Sequence, residues 1–390
     1  MATLFGKTRR ALTWFGGIYA FCILILALPF AQRHALYAHK VKWPLGARFD
    51  MPERYGLAPG RVLNAPIATV DNITLGSWFI FADTYYQHSK SREMDPSFSE
   101  RDLRDALRRF NTIIYFHGNA ASRAAPHRVR FYSQWTSRLD VNVLAVDYRG
   151  FGDSEGFPSE EGLGFDGRAA WDWLISRGAD PSNILLFGQS LGTGVVAKLA
   201  HSLSTENVRP RGAVFSGAFT DLATLLETYN IAGLFPLLQP FQIVPFFFRA
   251  LNSILHHKFS TITILPNITC PLLLIHGEDD FDIQITHSER LFEAALEPYL
   301  EPYPFSYEEM ADLRLKTEEQ RLLMNDVVTK RRKQKLELVK ETPIANVGSL
   351  LSFNRPGQGS VNFLKSRWGG HNQVINFEGV MDVTQRLFQL

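Results

Sequence analysis

Short runs of apolar, often β-branched residues alternate with longer amphipathic segments along most of this chain. Thr112–His117 (TIIYFH), Val141–Asp147 (VNVLAVD), Asn183–Gly188 (NILLFG), Gly212–Gly217 (GAVFSG), Pro271–Gly277 (PLLLIHG) and Ser360–Ser366 (SVNFLKS) read as strands. Ile73–Ala82 reads as an earlier strand entering the folded body. Helical spacing of apolar positions runs through His127–Leu139, Gly164–Arg177, Leu191–Leu203, His287–Glu297 and Gly379–Leu390. Strands that are apolar nearly throughout have both faces buried, and helices placed between them supply the cover. The pattern predicts an α/β fold with a mostly parallel sheet covered by helices on both faces.

Two stretches break the alternation. Residues 221–265 are strongly apolar, and Leu234–Leu251 (LFPLLQPFQIVPFFFRAL) is interrupted by Pro236, Pro240 and Pro245, too often for one spanning helix. This stretch is expected to be a lid-like insertion. Residues 301–346 are rich in Glu, Lys and Arg and read as an exposed, charged helical excursion.

The N-terminus has a different character. Ala11–Phe30 contains no charged residue, and at about 1.5 Å per residue it would cross roughly 30 Å of hydrocarbon. The run is longer than the apolar core of a signal peptide, and no clear small-residue cleavage site follows it. The expected organisation is a short basic tail over residues 1–10, a transmembrane anchor over 11–32, a juxtamembrane linker over 33–65 and one folded domain over 66–390. Basic residues flank both ends of the anchor, so charge does not set its orientation. The sequons at Asn72 and Asn267 tip it toward a lumenal domain that carries glycan.

Composition narrows the function classes. The chain has 390 residues, is 45% hydrophobic and 21% charged, and has a formal net charge of +2, an ordinary globular balance with no basic patch suited to nucleic acid. It has two cysteines, Cys22 and Cys270. That count excludes a disulfide framework or a cysteine zinc site, and the position of Cys22 in the apolar run argues against a bridge between the two.

The candidate chemistry centres on one serine. Gly188-Gln189-Ser190-Leu191-Gly192 lies between an apolar strand and a helix, the setting of a nucleophile elbow. A sharp turn there forces the serine into a strained backbone conformation and brings neighbouring chain close, so the flanking positions need glycine. A serine hydroxyl needs a base, and the base needs an acid to fix its tautomer. Asp280 stands at the tip of the turn after Pro271–Gly277 and is the expected acid, with Asp279 as its close competitor and Asp221 as a further candidate. His371 follows the strand Ser360–Ser366 in a glycine-containing loop and is the expected base. His256, His257 and His287 read as surface residues, and His276 as a satisfied core histidine. Two backbone N–H groups are expected to form an oxyanion hole: that of Leu191, just after the serine, and that of Asn119 in the loop His117–Ser122, with Ala120 as the fallback. His117 is expected to brace this loop, and Asp147–Gly156 (DYRGFGDSEG) to be turn structure. The chemistry is general-base acyl transfer, which calls for no metal or organic cofactor.

From YFHGNA through VDYRGFGDSEGFPSEEG and FGQSLGTGVVAKLA to CPLLLIHGEDD, the chain resembles an α/β-hydrolase, and more narrowly the membrane-anchored ABHD12-like branch. The dense match covers residues 112–216 and 270–297. Members of that branch are lysophospholipases and monoacylglycerol lipases of the endoplasmic reticulum with a lumenal catalytic domain. The resemblance therefore implies Ser190, Asp280 and His371 as a triad, single-chain lipid esters as substrates, the bilayer as a partner and a lumenal orientation. The chain departs from the branch in two ways. The segment between Asp280 and His371 is longer, and the Pro-Val pattern after the acid is replaced by Phe281-Asp282-Ile283. A protein-acyl thioesterase or a serine exopeptidase is the alternative on the same scaffold. A non-catalytic membrane-anchored interaction protein, docking through residues 301–346, is the remote one. Head group, acyl length and oligomeric state are not legible.

Overall fold

The computed structural model describes residues 28–90, 98–231, 235–239, 246–305 and 317–390, with isolated positions 9, 13, 14, 17, 21 and 25. Ten strands among these residues form one sheet: β1 (Val62–Asn64), β2 (Ser77–Ile80), β3 (Thr112–Phe116), β4 (Asn142–Val146), β5 (Ile184–Gln189), β6 (Gly212–Ser216), β7 (Leu272–Gly277), β8 (Lys340–Ile344), β9 (Gly348–Phe353) and β10 (Val361–Ser366). Their spatial order is β1-β2-β4-β3-β5-β6-β7-β10-β9-β8. The six strands from β4 to β10 in this order run parallel. Antiparallel pairs flank them at both edges.

Successive residues on each strand serve opposite layers. Phe79, Phe116, Leu186, Phe215, Leu274 and Phe363 enter one core, beneath α3 (Glu160–Ile175), α4 (Leu191–Thr205) and α7 (Thr286–Leu296). Their neighbours Trp78, Tyr115, Phe187, Val214, Leu273 and Leu364 enter the other, beneath α2 (Pro126–Arg138) and α9 (Glu378–Phe388). The alternation follows from the two-residue repeat of a strand. Because both sets are apolar, the strands read as unbroken apolar runs in sequence.

Two expectations need correction, and a third falls outside the described residues. The anchor expected over 11–32 lies mostly outside the described residues, and among those described no helix is long and apolar enough to cross a membrane. Its last four residues belong to α1 (Pro29–Tyr37), which starts after an extended Leu28 with proline at the first helical position. The segment 33–65 is no free linker. Tyr37, Leu57 and Arg61 are buried, and β1 pairs with β2 in the main sheet. The charged excursion is helical over α8 (Glu318–Leu338), then turns back as the edge strands β8 and β9. Arg331 fastens α8 to the body through Glu297 at 2.6 Å.

The insertion over 221–265 contributes α5 (Leu222–Thr228) and α6 (Phe247–Ile254). Asp221, weighed as a candidate acid, caps α5 by accepting from the Thr224 amide at 2.8 Å.

Phe187 packs its ring against Phe131 and Trp135 at centroid distances of 4.9 and 5.1 Å. Phe187→Ala is expected to destabilise the fold by about 3–5 kcal/mol, read as a lowered urea midpoint by tryptophan fluorescence.

Candidate active site

The site is built at the carboxyl ends of β5, β7 and β10. Ser190 follows β5 directly and precedes α4, with φ 52° and ψ −118°. A side chain at positive φ is strained, at a cost of order 1–3 kcal/mol, and persists only where its surroundings enforce it. Its amide donates to the Ser216 carbonyl at 2.9 Å, and its carbonyl accepts from the Thr193 amide and hydroxyl at 2.9 and 2.7 Å. A Cβ on Gly192 would overlap the Phe116 carbonyl, and one on Gly188 would come within 2.5 Å of the Gly192 carbonyl oxygen. These two glycines are what lets α4 turn back over the sheet at that point.

His371 stands in a short helix, Gly370–Gln373, just beyond β10. Its Nδ1 lies 2.8 Å from Asp280 Oδ2. Asp280 is buried and fully engaged. Its Oδ1 accepts from the amides of Asp282 and Ile283 at 3.0 and 2.9 Å. His276 Nε2 lies 3.3 Å from Oδ2. Burial works against the ionised carboxylate, but the hydrogen bonds from His276 and His371 prevail and hold its pKa well below the ordinary range. Burial likewise disfavours a charged His371, yet the bond to Asp280 and the charges of Asp280 and Asp282 outweigh it and raise the imidazole above its usual pKa.

Asp279 is separated from Asp280 by these contacts. Its carboxylate accepts from the amides of Gly369 and Gly370 at 3.1 and 2.7 Å, so it anchors the loop that carries His371. The main chain there needs glycine, with φ of +117° at Gly369 and +48° at Gly370.

Ser190, Leu191, Asn119 and His371 all line one cavity of about 630 Å³. Ser190 also lies against the loop after β3: a Cβ on Gly118 would sit 3.3 Å from that of Ser190. The fallback donor Ala120 is removed, because its amide donates to the Tyr37 carbonyl at 2.9 Å. His117 braces the loop as expected, with Nδ1 2.6 Å from the Gly118 carbonyl and Nε2 3.2 Å from Asp147. Residues 147–156 do not line the cavity. His276 is a satisfied core histidine, with Nδ1 2.7 Å from the Ser288 hydroxyl. His257 and His287, read as surface residues, are buried. His287 packs under the insertion, with Nε2 2.8 Å from the Thr228 hydroxyl.

Two contributors have no local signal. Gln189 donates toward the His371 carbonyl and Asn372 Oδ1 at 3.4 and 3.3 Å, and accepts from the Tyr115 hydroxyl at 2.5 Å. Gly217, with φ of +58°, leaves room for the imidazole: a Cβ there would come within 2.9 Å of His371 Cε1. The glycine ending GAVFSG was the only trace of this in the sequence.

A parallel sheet with a strained serine at a strand–helix elbow, and an acid-paired histidine on a later loop facing the same cavity, defines an α/β-hydrolase. Comparison with known proteins agrees. A family described as the α/β-hydrolase fold matches residues 113–251. Protein ABHD12B of Homo sapiens is 32% identical over 271 residues, 68% of this chain and 69% of that protein. The lysophosphatidylserine lipase ABHD12 of Danio rerio is 28% identical over 293 residues, 75% of this chain and 74% of that protein. The Mus musculus lysophosphatidylserine lipase ABHD12 is 28% identical over 295 residues, 75% of this chain and 71% of its own. The crystal structure of an α/β-hydrolase from Vibrio vulnificus, at 17% identity, covers 93% of this chain and 94% of its own with a TM-score of 0.55, which shows the shared fold. The chain belongs to the ABHD12-like α/β-hydrolases and is a serine ester hydrolase.

His371 is expected to hold its proton to higher pH than free imidazole, whose pKa is near 6.5. Asp280→Asn removes the charge and should bring its midpoint down. The imidazole resonances followed by NMR against pH check both directions.

Proposed function

We propose that the protein is a membrane-anchored serine hydrolase that cleaves the carboxyl ester of single-chain lipids, lysophospholipid or monoacylglycerol. The observation that carries this reading is the placement of Ser190 and the Asp280-paired His371 in one large, mainly apolar cavity. The Nδ1 of His371 is occupied by Asp280, which leaves Nε2 to take the serine proton as Oγ attacks the ester carbon. The carbonyl oxygen becomes an oxyanion, held by the Asn119 and Leu191 amides. His371 then returns the proton to the leaving alkoxide, and an acyl-serine remains. Water, deprotonated by the same imidazole, releases the fatty acid and restores the hydroxyl.

The cavity volume, about 630 Å³, falls in the range of sites that enclose a molecule the size of one acyl chain and its ester. Its walls include Leu225 and Leu238 of the insertion and Leu251 and Ile254 of α6, which supports reading the insertion as a lid. Ala35, Ala250 and Ser253 line it and are exposed, so its mouth lies between α1 and α6. Phe30 on α1, and Leu28 and Phe246 just before the two helices, stand exposed. That apolar rim, next to the charge-free run that precedes α1, suits a substrate drawn from a bilayer. The names of the ABHD12 relatives as lysophosphatidylserine lipases support the substrate class. Asn72 and Asn267 are both exposed, as a lumenal domain glycosylated in the endoplasmic reticulum requires.

In membranes expressing the full chain, a fluorophosphonate probe should label wild type but neither Ser190→Ala nor His371→Ala. The same wild-type membranes should hydrolyse lysophospholipids or monoacylglycerols. Asp280→Asn should lower kcat by roughly 10⁴-fold, and Asp279→Asn by far less. Labelling without lipid turnover would transfer the reading to a thioesterase or peptidase, and absence of labelling in folded wild type would overturn it. A gain in gel mobility after endoglycosidase treatment, lost in the Asn72→Gln/Asn267→Gln double variant, checks the orientation.

A further inference from the structure

We infer that Arg128 is a positioning residue for the oxyanion hole, a role that rests on the acyl-transfer reading above. Among the described residues Arg128 makes no ion pair that would explain its burial. It sits in the first turn of α2 and is 2% exposed. Among the described residues its guanidinium makes hydrogen bonds only through Nη2, which donates to the carbonyls of Gly118, Asn119 and Ala120 at 3.1, 3.2 and 2.9 Å. Nε and Nη1 are buried with no hydrogen-bond partner among the described residues. A buried cation held by carbonyl dipoles rather than by a carboxylate is costly, and such an arrangement calls for a reason.

The reason follows from peptide geometry. The C=O of one residue and the N–H of the next share a plane and point in opposite directions. Drawing the carbonyls of Gly118, Asn119 and Ala120 to one nitrogen therefore turns the N–H groups of Asn119, Ala120 and Ala121 the other way. Ala120 and Ala121, both at φ +55°, spend theirs on the carbonyls of Tyr37 and Val41, each at 2.9 Å. The Asn119 N–H is the one in this set without an acceptor among the described residues, and its peptide adjoins Ser190. Arg128 thus orients the Gly118–Asn119 peptide so that its donor is free for the oxyanion. The guanidinium charge, whose nearest bonded partners are carbonyls, adds a second effect. It is bonded to the carbonyl end of that peptide, polarises it, and strengthens its N–H as a donor when negative charge develops on the substrate oxygen. His117 Nδ1 shares the Gly118 carbonyl with Arg128 and helps fix the same peptide.

The test compares Arg128→Met and Arg128→Lys in the full chain, using a water-soluble short-chain ester and the fluorophosphonate probe. Arg128→Met should lower kcat about 10²-fold with KM changed less than about threefold, the size of losing one oxyanion donor. Probe labelling should slow in proportion. A trifluoromethyl ketone, which forms a tetrahedral adduct on the serine, should lose affinity by the same factor. A non-cleavable ether lipid should bind as to wild type. Arg128→Lys, which keeps the charge and one donor, should recover part of the loss, and it carries the test if Arg128→Met does not fold. Folded variants with wild-type kcat and ketone affinity would overturn the inference, as would equal losses in ketone and ether-lipid binding, which would mark a purely architectural role. Wild type that fails to label would instead overturn the acyl-transfer reading on which this rests.

Discussion

Everything at the site depends on the close approach of α4 to the ends of β3 and β5. The helix can begin where it does only because Gly188 and Gly192 place no side chain between the elbow and the Phe116 and Gly192 carbonyls. That contact drives Ser190 into positive φ, and the bonds to Ser216 and Thr193 keep it there. The strain is local, while the forces that hold it are spread over two apolar cores on the two faces of the sheet. A residue in an unfavourable conformation is thus carried by many favourable contacts elsewhere.

The same economy of placement governs the histidine. His371 hangs on a loop that has little core of its own. Three separate attachments fix it: Asp280 on the ring, Asp279 on the two glycine amides before it, and Gln189 on its carbonyl. Gln189 is the residue before the serine. The elbow and the histidine loop, 182 residues apart, are therefore tied by one side chain, and a shift of β5 would be felt at the imidazole. Adjacent aspartates do different work here because a tight turn sends their side chains to different partners.

This explains which parts were legible in the sequence. The six parallel strands announce themselves because burial on both faces makes them apolar throughout, and the elbow because its glycines are demanded by sterics. The edge strands were missed for the opposite reason. KETPI and GSLLSF are half exposed, carry polar residues and in β8 a proline, and look like loop until their partner is known. Asp279 and Asp280 could be ranked but not separated, since nothing local tells which way each carboxylate turns. Gln189, Gly217 and Arg128 act through contacts with chain distant in sequence or with backbone carbonyls, and neither kind leaves a residue pattern. The linker was read from local composition, which does not register that α1 lines one wall of the cavity.

Taken together, the fixed charges form a gradient across the cavity that matches the proposed reaction. As Ser190 attacks, positive charge appears on His371 and negative charge on the carbonyl oxygen. Asp280 lies ionised behind the first, its carboxylate saturated by two amides and two histidines. Arg128 is bonded to the carbonyl end of the peptide whose N–H is the proposed donor to the second. Neither group has to move or change protonation as the charges develop, so no reorganisation accompanies the step. The burial that makes both ions expensive in the resting protein also removes the water that would screen them during the reaction. An arginine hydrogen-bonded to carbonyls and a carboxylate shared by two histidines are poor choices for stability alone, and sensible ones for a site that must separate charge in an apolar cavity.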